Sequence, residues 1–169
     1  PFKGATPLVL GVCLWCSIPG DCRFAVHRRR LLECIEYLLT HGANVNGQRA
    51  NRTPMRLLCN QAVGHVSDAW HFLDKSLEET LSMVALLAHH GADLSGAFRV
   101  SVCSREREDA YTDSVMLGLL NLGASLDGVH HRGFTVLDCL EDPFCWMPPA
   151  VVRYMRARTP QRTLDYKRA

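Results

Sequence analysis

The chain has 169 residues, 47% of them hydrophobic and 21% charged, with a formal net charge of +2. That is the make-up of one globular domain with a real core, and no apolar run reaches the roughly 20 residues that would span a bilayer. The last twenty residues hold six bases (Arg153, Arg156, Arg158, Arg162, Lys167 and Arg168) against Asp165, so a mildly acidic body is followed by a basic tail.

The start, Pro1-Phe2-Lys3-Gly4, shows no charged-then-apolar-then-small leader pattern, and the chain reads as part of a longer protein. Thr6-Pro7-Leu8 places a capping hydroxyl and a first-turn proline before an apolar helix. A second helix, Leu31–Leu39, runs into His41-Gly42-Ala43-Asn44-Val45-Asn46. Gly ends such a helix cheaply because it tolerates the left-handed conformation. Thr53-Pro54-Met55 then repeats the capped start, and Leu86-Leu87 through Gly91-Ala92-Asp93-Leu94-Ser95 repeats the ending. The ending returns once more in Leu119-Leu120-Asn121-Leu122-Gly123-Ala124-Ser125-Leu126-Asp127, and the start in Thr135-Val136-Leu137. A last helix is predicted from Pro149 to about Arg158, stopped by Thr159-Pro160.

These alternating phrases resemble the ankyrin repeat, with its T-P-L-H-x-A start and G-A-D-V-N ending. The resemblance covers residues 4 to about 141 and implies an all-α solenoid of stacked helix-turn-helix units with short β-turn fingers. The expected repeats are 4–46, 47–95, 96–127 and 128–158, the last with a cap, within one domain 1–169 whose tail is 159–169. Two departures stand out. The family's histidine is replaced by Val9, Arg56 and Asp138, and the terminating glycines are 49 and 32 residues apart against a family period of 33. The resemblance therefore implies insertions between the paired helices, near Ser17–Arg29 and Val63–Ser76. In the third repeat Val100 and Cys103 are aligned with the Leu and Ala positions, which implies a shortened finger.

Family members grip partner proteins through finger tips and the inner helix face. Carried onto this chain, that implies contacts at Gln48, Arg49, Asn51 and Arg52 in one finger and at Phe98 and Arg99 in the next. Val129, His130, His131 and Arg132 would form a third, with Arg56 on the inner helix. Their arginines, histidines and phenylalanine suit a partner protein with an acidic surface and an apolar pocket. The function expected is a protein-interaction scaffold or adaptor, either alone or as the ankyrin portion of a multidomain enzyme or regulator. His41 and His90 take the family's usual place before the terminating Gly and read as structural.

Other chemistry is less well supplied. Cys13, Cys16, Cys22 and His27 could hold tetrahedral zinc, the strongest alternative of a different class. No G-x-S-x-G, phosphate-cradling Gly loop or H-E-x-x-H occurs, so no enzyme and no cofactor is expected. Arg28-Arg29-Arg30 reads as the exposed edge of the first insertion ahead of the helix, since a nucleic-acid binder would spread its charge and interleave aromatics. Of the eight cysteines, Cys34, Cys59, Cys103 and Cys139 fall in apolar helical patterns and read as small buried hydrophobes. Such thiols fit a reducing intracellular compartment, cytoplasm or nucleus. Trp70 in the second insertion reads either as local core or as an exposed anchor, and Trp15 and Trp146 as packing at the two ends of the stack.

Overall fold

The computed structural model describes residues 6–47, 53–63, 77–102, 110–126 and 147–158. Every regular element among them is helical. In chain order these are α1 (Pro7–Ser17), a single 3-10 turn (Cys22–Phe24), α2 (Ala25–Thr40), α3 (Pro54–Val63) and α4 (Leu77–His89). Then follow α5 (Leu94–Val102), α6 (Ala110–Asn121) and α7 (Pro149–Arg158). None is long and apolar enough to cross a membrane.

The starts of α1 and α3 share one chemistry. Thr6 Oγ1 accepts from the Val9 N–H at 3.3 Å, and Thr53 Oγ1 from the Arg56 N–H at 3.2 Å. Each satisfies an amide that the helix itself leaves orphaned, and Pro7 and Pro54 occupy the first helical position, where no N–H is needed. In α5 the cap is Asp93, whose Oδ1 accepts from the Gly96 N–H at 3.0 Å. Here turn and cap have fused. The helix starts at Leu94 directly after the glycine turn, so Val100 lies inside α5 and the expected 95/96 repeat boundary cuts through that helix.

The ends of α2, α4 and α6 are closed in one way three times over. Gly42, Gly91 and Gly123 stand at φ of 82°, 82° and 100°. Each glycine N–H reaches back three residues, and the N–H of the following alanine reaches back five. Gly91 N–H donates to Ala88 O at 2.9 Å and Ala92 N–H to Leu87 O at 3.0 Å. The same pairs recur as Gly42 to Leu39 O with Ala43 to Leu38 O, and as Gly123 to Leu120 O with Ala124 to Leu119 O. This pair of hydrogen bonds to the last carbonyls needs a left-handed residue, which is why glycine stands there.

The helices pack in two rows. α3 lies against both α1 and α5, while α1 contacts α2, α3 contacts α4, and α5 contacts α6. In the second row α4 packs on α6, and α7 closes the far end against α6. Between the rows lies one continuous apolar core that includes Leu8, Val12, Trp15, Ile35, Met55, Leu58, Met83, Leu87, Phe98, Met116, Leu119 and Met155. Each such side chain contributes roughly 1.5–3 kcal/mol relative to an exposed one. Gly11 permits the close approach of α1 to α2, since a Cβ there would stand 3.2 Å from Ile35 Cγ1. Polar contacts pin the second row: Tyr111 O–H donates to Thr80 Oγ1, and Tyr154 O–H donates to Leu120 O at 3.0 Å.

Two expectations change here. α2 begins at Ala25 rather than Leu31, so Arg28, Arg29 and Arg30 lie inside the helix and the irregular part of the first insertion shrinks to residues 18–24. Cys34, expected in the core, is exposed because it sits about 100° around α2 from buried Ile35, whereas Cys59 is buried as expected. Trp15 belongs to the shared core at 2% exposure. α7 has the bounds expected from its sequence. The second insertion beyond Val63, with Trp70, lies outside the described residues, as do Cys103, Cys139 and Trp146.

Candidate interaction surface

Of the residues expected to touch a partner, Gln48, Arg49, Asn51, Arg52, Val129, His130, His131 and Arg132 lie outside the described residues. Arg56 stands in the first turn of α3, half-buried, in the row that α1, α3 and α5 form. Phe98 corrects an expectation. It is fully buried within α5 instead of projecting from a finger, because Asp93 starts the helix directly at the turn. Arg99 follows it in the same helix.

The candidate zinc ligands are not brought together. Cys13 is half-buried and Cys16 buried on α1, while Cys22 and His27 are exposed on the 3-10 turn and α2. Among the described residues no group of three His, Cys, Asp or Glu side chains could hold a metal ion. His41 is exposed, its Nδ1 2.8 Å from Tyr37 O and its ring stacked on Tyr37 at 3.9 Å. His90 is half-buried, its ring edge-on to His89 at 5.4 Å.

Two edges carry the geometry that could meet a partner. At the glycine turns, neighbouring hairpins are tied by side chains in equivalent places. Asn46 Nδ2 donates to Gly91 O at 2.9 Å, and its Oδ1 accepts from the Asp93 N–H at 2.8 Å. One hairpin on, Ser95 Oγ accepts from the Ser125 N–H at 3.0 Å. In both cases the residue four past one glycine receives the amide two past the next, which fixes the spacing of successive turns.

The opposite edge is made by residues 18–24. Arg28, 5% exposed, donates from Nη1 to Pro19 O at 2.6 Å and to Asp21 O at 3.0 Å. Its Nε and Nη2 donate to Glu79 Oε1 at 3.3 and 3.2 Å, linking α2 to the first turn of α4. Burying a guanidinium is costly unless its donors are met, and here they are met by a loop and a neighbouring hairpin together. Within the loop, Asp21 accepts from the Arg23 N–H and Nε, both at 2.8 Å. The Arg23 side chain, its backbone N–H and the Cys22 thiol hold the Asp21 carboxyl well below the usual carboxylate range. The Arg23 guanidinium is raised in turn by the Asp21 carboxylate.

Sequence reasoning missed Arg28 and Glu79. A signal for Arg28 was present: with Ile35 and Leu39 it falls at i, i+7 and i+11, the core face of a helix that starts earlier than Leu31. Glu79 had no such signal, since nothing local marks which carboxylate meets a distant arginine. The chain matches no protein-family model, no curated protein and no solved structure.

Proposed function

We propose that this chain is an ankyrin-repeat solenoid that holds a partner protein rather than catalysing a reaction. The observation that carries the reading is the recurrence of one helix ending at Gly42, Gly91 and Gly123, with equivalent side chains joining successive turns. A set of turns joined in the same way on packed hairpins is a preformed surface, and such a surface loses little entropy on binding. The partner suited to Arg49, Arg52, Arg56 and Arg132 presents an acidic surface, in a reducing compartment, cytoplasm or nucleus.

The test is affinity capture from source-cell extract with the parent chain and with an Arg49→Ser, Arg52→Ser, Arg132→Ser variant, read by mass spectrometry. A protein retained by the parent and lost by the variant, with the Tm of the variant unchanged, is the expected outcome. Equal capture by both forms would remove the fingers from the proposal, and loss of Tm together with capture would make the arginines structural.

A further inference from the structure

We infer that the outer face of α2 is a contact between two copies of this chain, with the two helices antiparallel about a two-fold axis midway between Arg30 and Glu33. The inference concerns a face separate from the fingers, and it stands or falls independently of the partner-holding reading.

Helix periodicity makes the face. At 100° per residue, Val26, Arg30, Glu33 and Tyr37 fall within about 60° of one another around α2. Arg28, Ile35 and Leu39, all buried, lie on the opposite side of the helix. All four stripe residues are exposed. Val26 at 60% and Tyr37 at 62% are the most exposed large apolar side chains among the described residues. They stand about 16.5 Å apart along the helix, with the two charged residues between them. The Tyr37 ring is set in place by His41, whose ring stacks on it at 3.9 Å while its Nδ1 lies 2.8 Å from Tyr37 O.

The order along the stripe selects the occupant. It reads apolar, positive, negative, apolar, so it is complementary to its own reverse. In the antiparallel pair Val26 faces the second copy's Tyr37 and Arg30 faces the second copy's Glu33, and each contact is made twice. A two-fold contact requires this reciprocity. Arg30 has no ion pair among the described residues. Glu33 meets Arg29 of its own helix at 3.5 Å, but those side chains are 63% and 82% exposed, and such a pair contributes little in water. One base and one acid leave the stripe without net charge, which does not suit a nucleic acid or an anionic membrane. A face of this length is small beside the roughly 800 Å² per partner of a stable interface, so the dimer is weak, with a Kd between about 10 µM and 1 mM.

The experiment is sedimentation equilibrium of the intact 169-residue chain from about 10 µM to 1 mM. A reducing buffer keeps the exposed Cys22 and Cys34 from forming disulfides. The mean mass should rise with concentration toward twice that of the monomer. Arg30→Glu and Glu33→Arg should each weaken the dimer about tenfold by setting like charges against each other, and the two together should restore it to within about threefold. Tyr37→Ser should also weaken it about tenfold, with Val26→Ser as the second variant should the first not fold. An unchanged Tm checks the folding of each variant, and the Arg49→Ser, Arg52→Ser, Arg132→Ser variant should dimerise as the parent does. A monomer throughout the range, charge reversals that the double change does not rescue, or a dimer insensitive to every change on α2 would each overturn the inference and leave the proposed function standing. A dimer lost only in the finger variant would overturn it by moving self-association to the turn edge.

Discussion

At the turn edge, Gly42, Gly91 and Gly123 close three helices with the same backbone bonds, and Asn46 and Ser95 tie each turn to the next through equivalent atoms. At the loop edge the first two hairpins meet instead through one buried arginine that has no counterpart among the described residues of the later hairpins. A repeated edge spreads its stability over several small, similar contacts. An edge that occurs once concentrates it in one residue, and the same residue fixes the shape of an exposed loop.

The sharpest way to break that contrast is Arg28→Ala. It leaves Pro19 O and Asp21 O to find water and removes both Arg28 bonds to Glu79, and should cost about 2–3 kcal/mol, since bonds to charged groups are the stronger kind. Urea unfolding measures the loss, and hydrogen exchange should locate it in residues 18–24. A cost below about 0.5 kcal/mol, as for an ordinary surface change, would show that the loop edge is not concentrated in Arg28.

Gly91→Ala comes next. Nothing lies within 4 Å of the added Cβ, so the expected cost of about 1–2 kcal/mol is backbone strain alone at a φ of 82°. Gly42→Ala should cost the same, and unequal losses would contradict the equivalence of the turns. The smallest effects separate Asn46→Ala from Ser95→Ala. Asn46 makes two bonds to the next hairpin and should cost about 1 kcal/mol, against roughly half that for the bond that Ser95 accepts from the Ser125 N–H. Equal losses in urea would mean that the second Asn46 bond contributes nothing.

The turn edge was legible because each part of it is written locally. Thr6-Pro7 and Thr53-Pro54 announce helix starts, and Gly42, Gly91 and Gly123 announce ends, through conformational rules that need only near neighbours. The candidate site was less legible. Phe98 looked like a finger residue because no Thr-Pro marks the third hairpin, whereas Asp93 serves as both turn residue and cap. Arg28 looked exposed because it stands in a run of three arginines, and only the earlier start of α2 turns it toward the core.

Local sequence was enough for the helical composition, the capped starts of α1 and α3, the three glycine stops and the bounds of α7, since propensity, capping and left-handed turns act within a few residues. Packing between hairpins chose which of three adjacent arginines is buried, gave it Glu79 as a partner 51 residues away, and left Phe24 and Val26 in solvent. Those outcomes depend on the docking of one hairpin on another, where desolvation and paired charge weigh against each other across distances that no local pattern encodes.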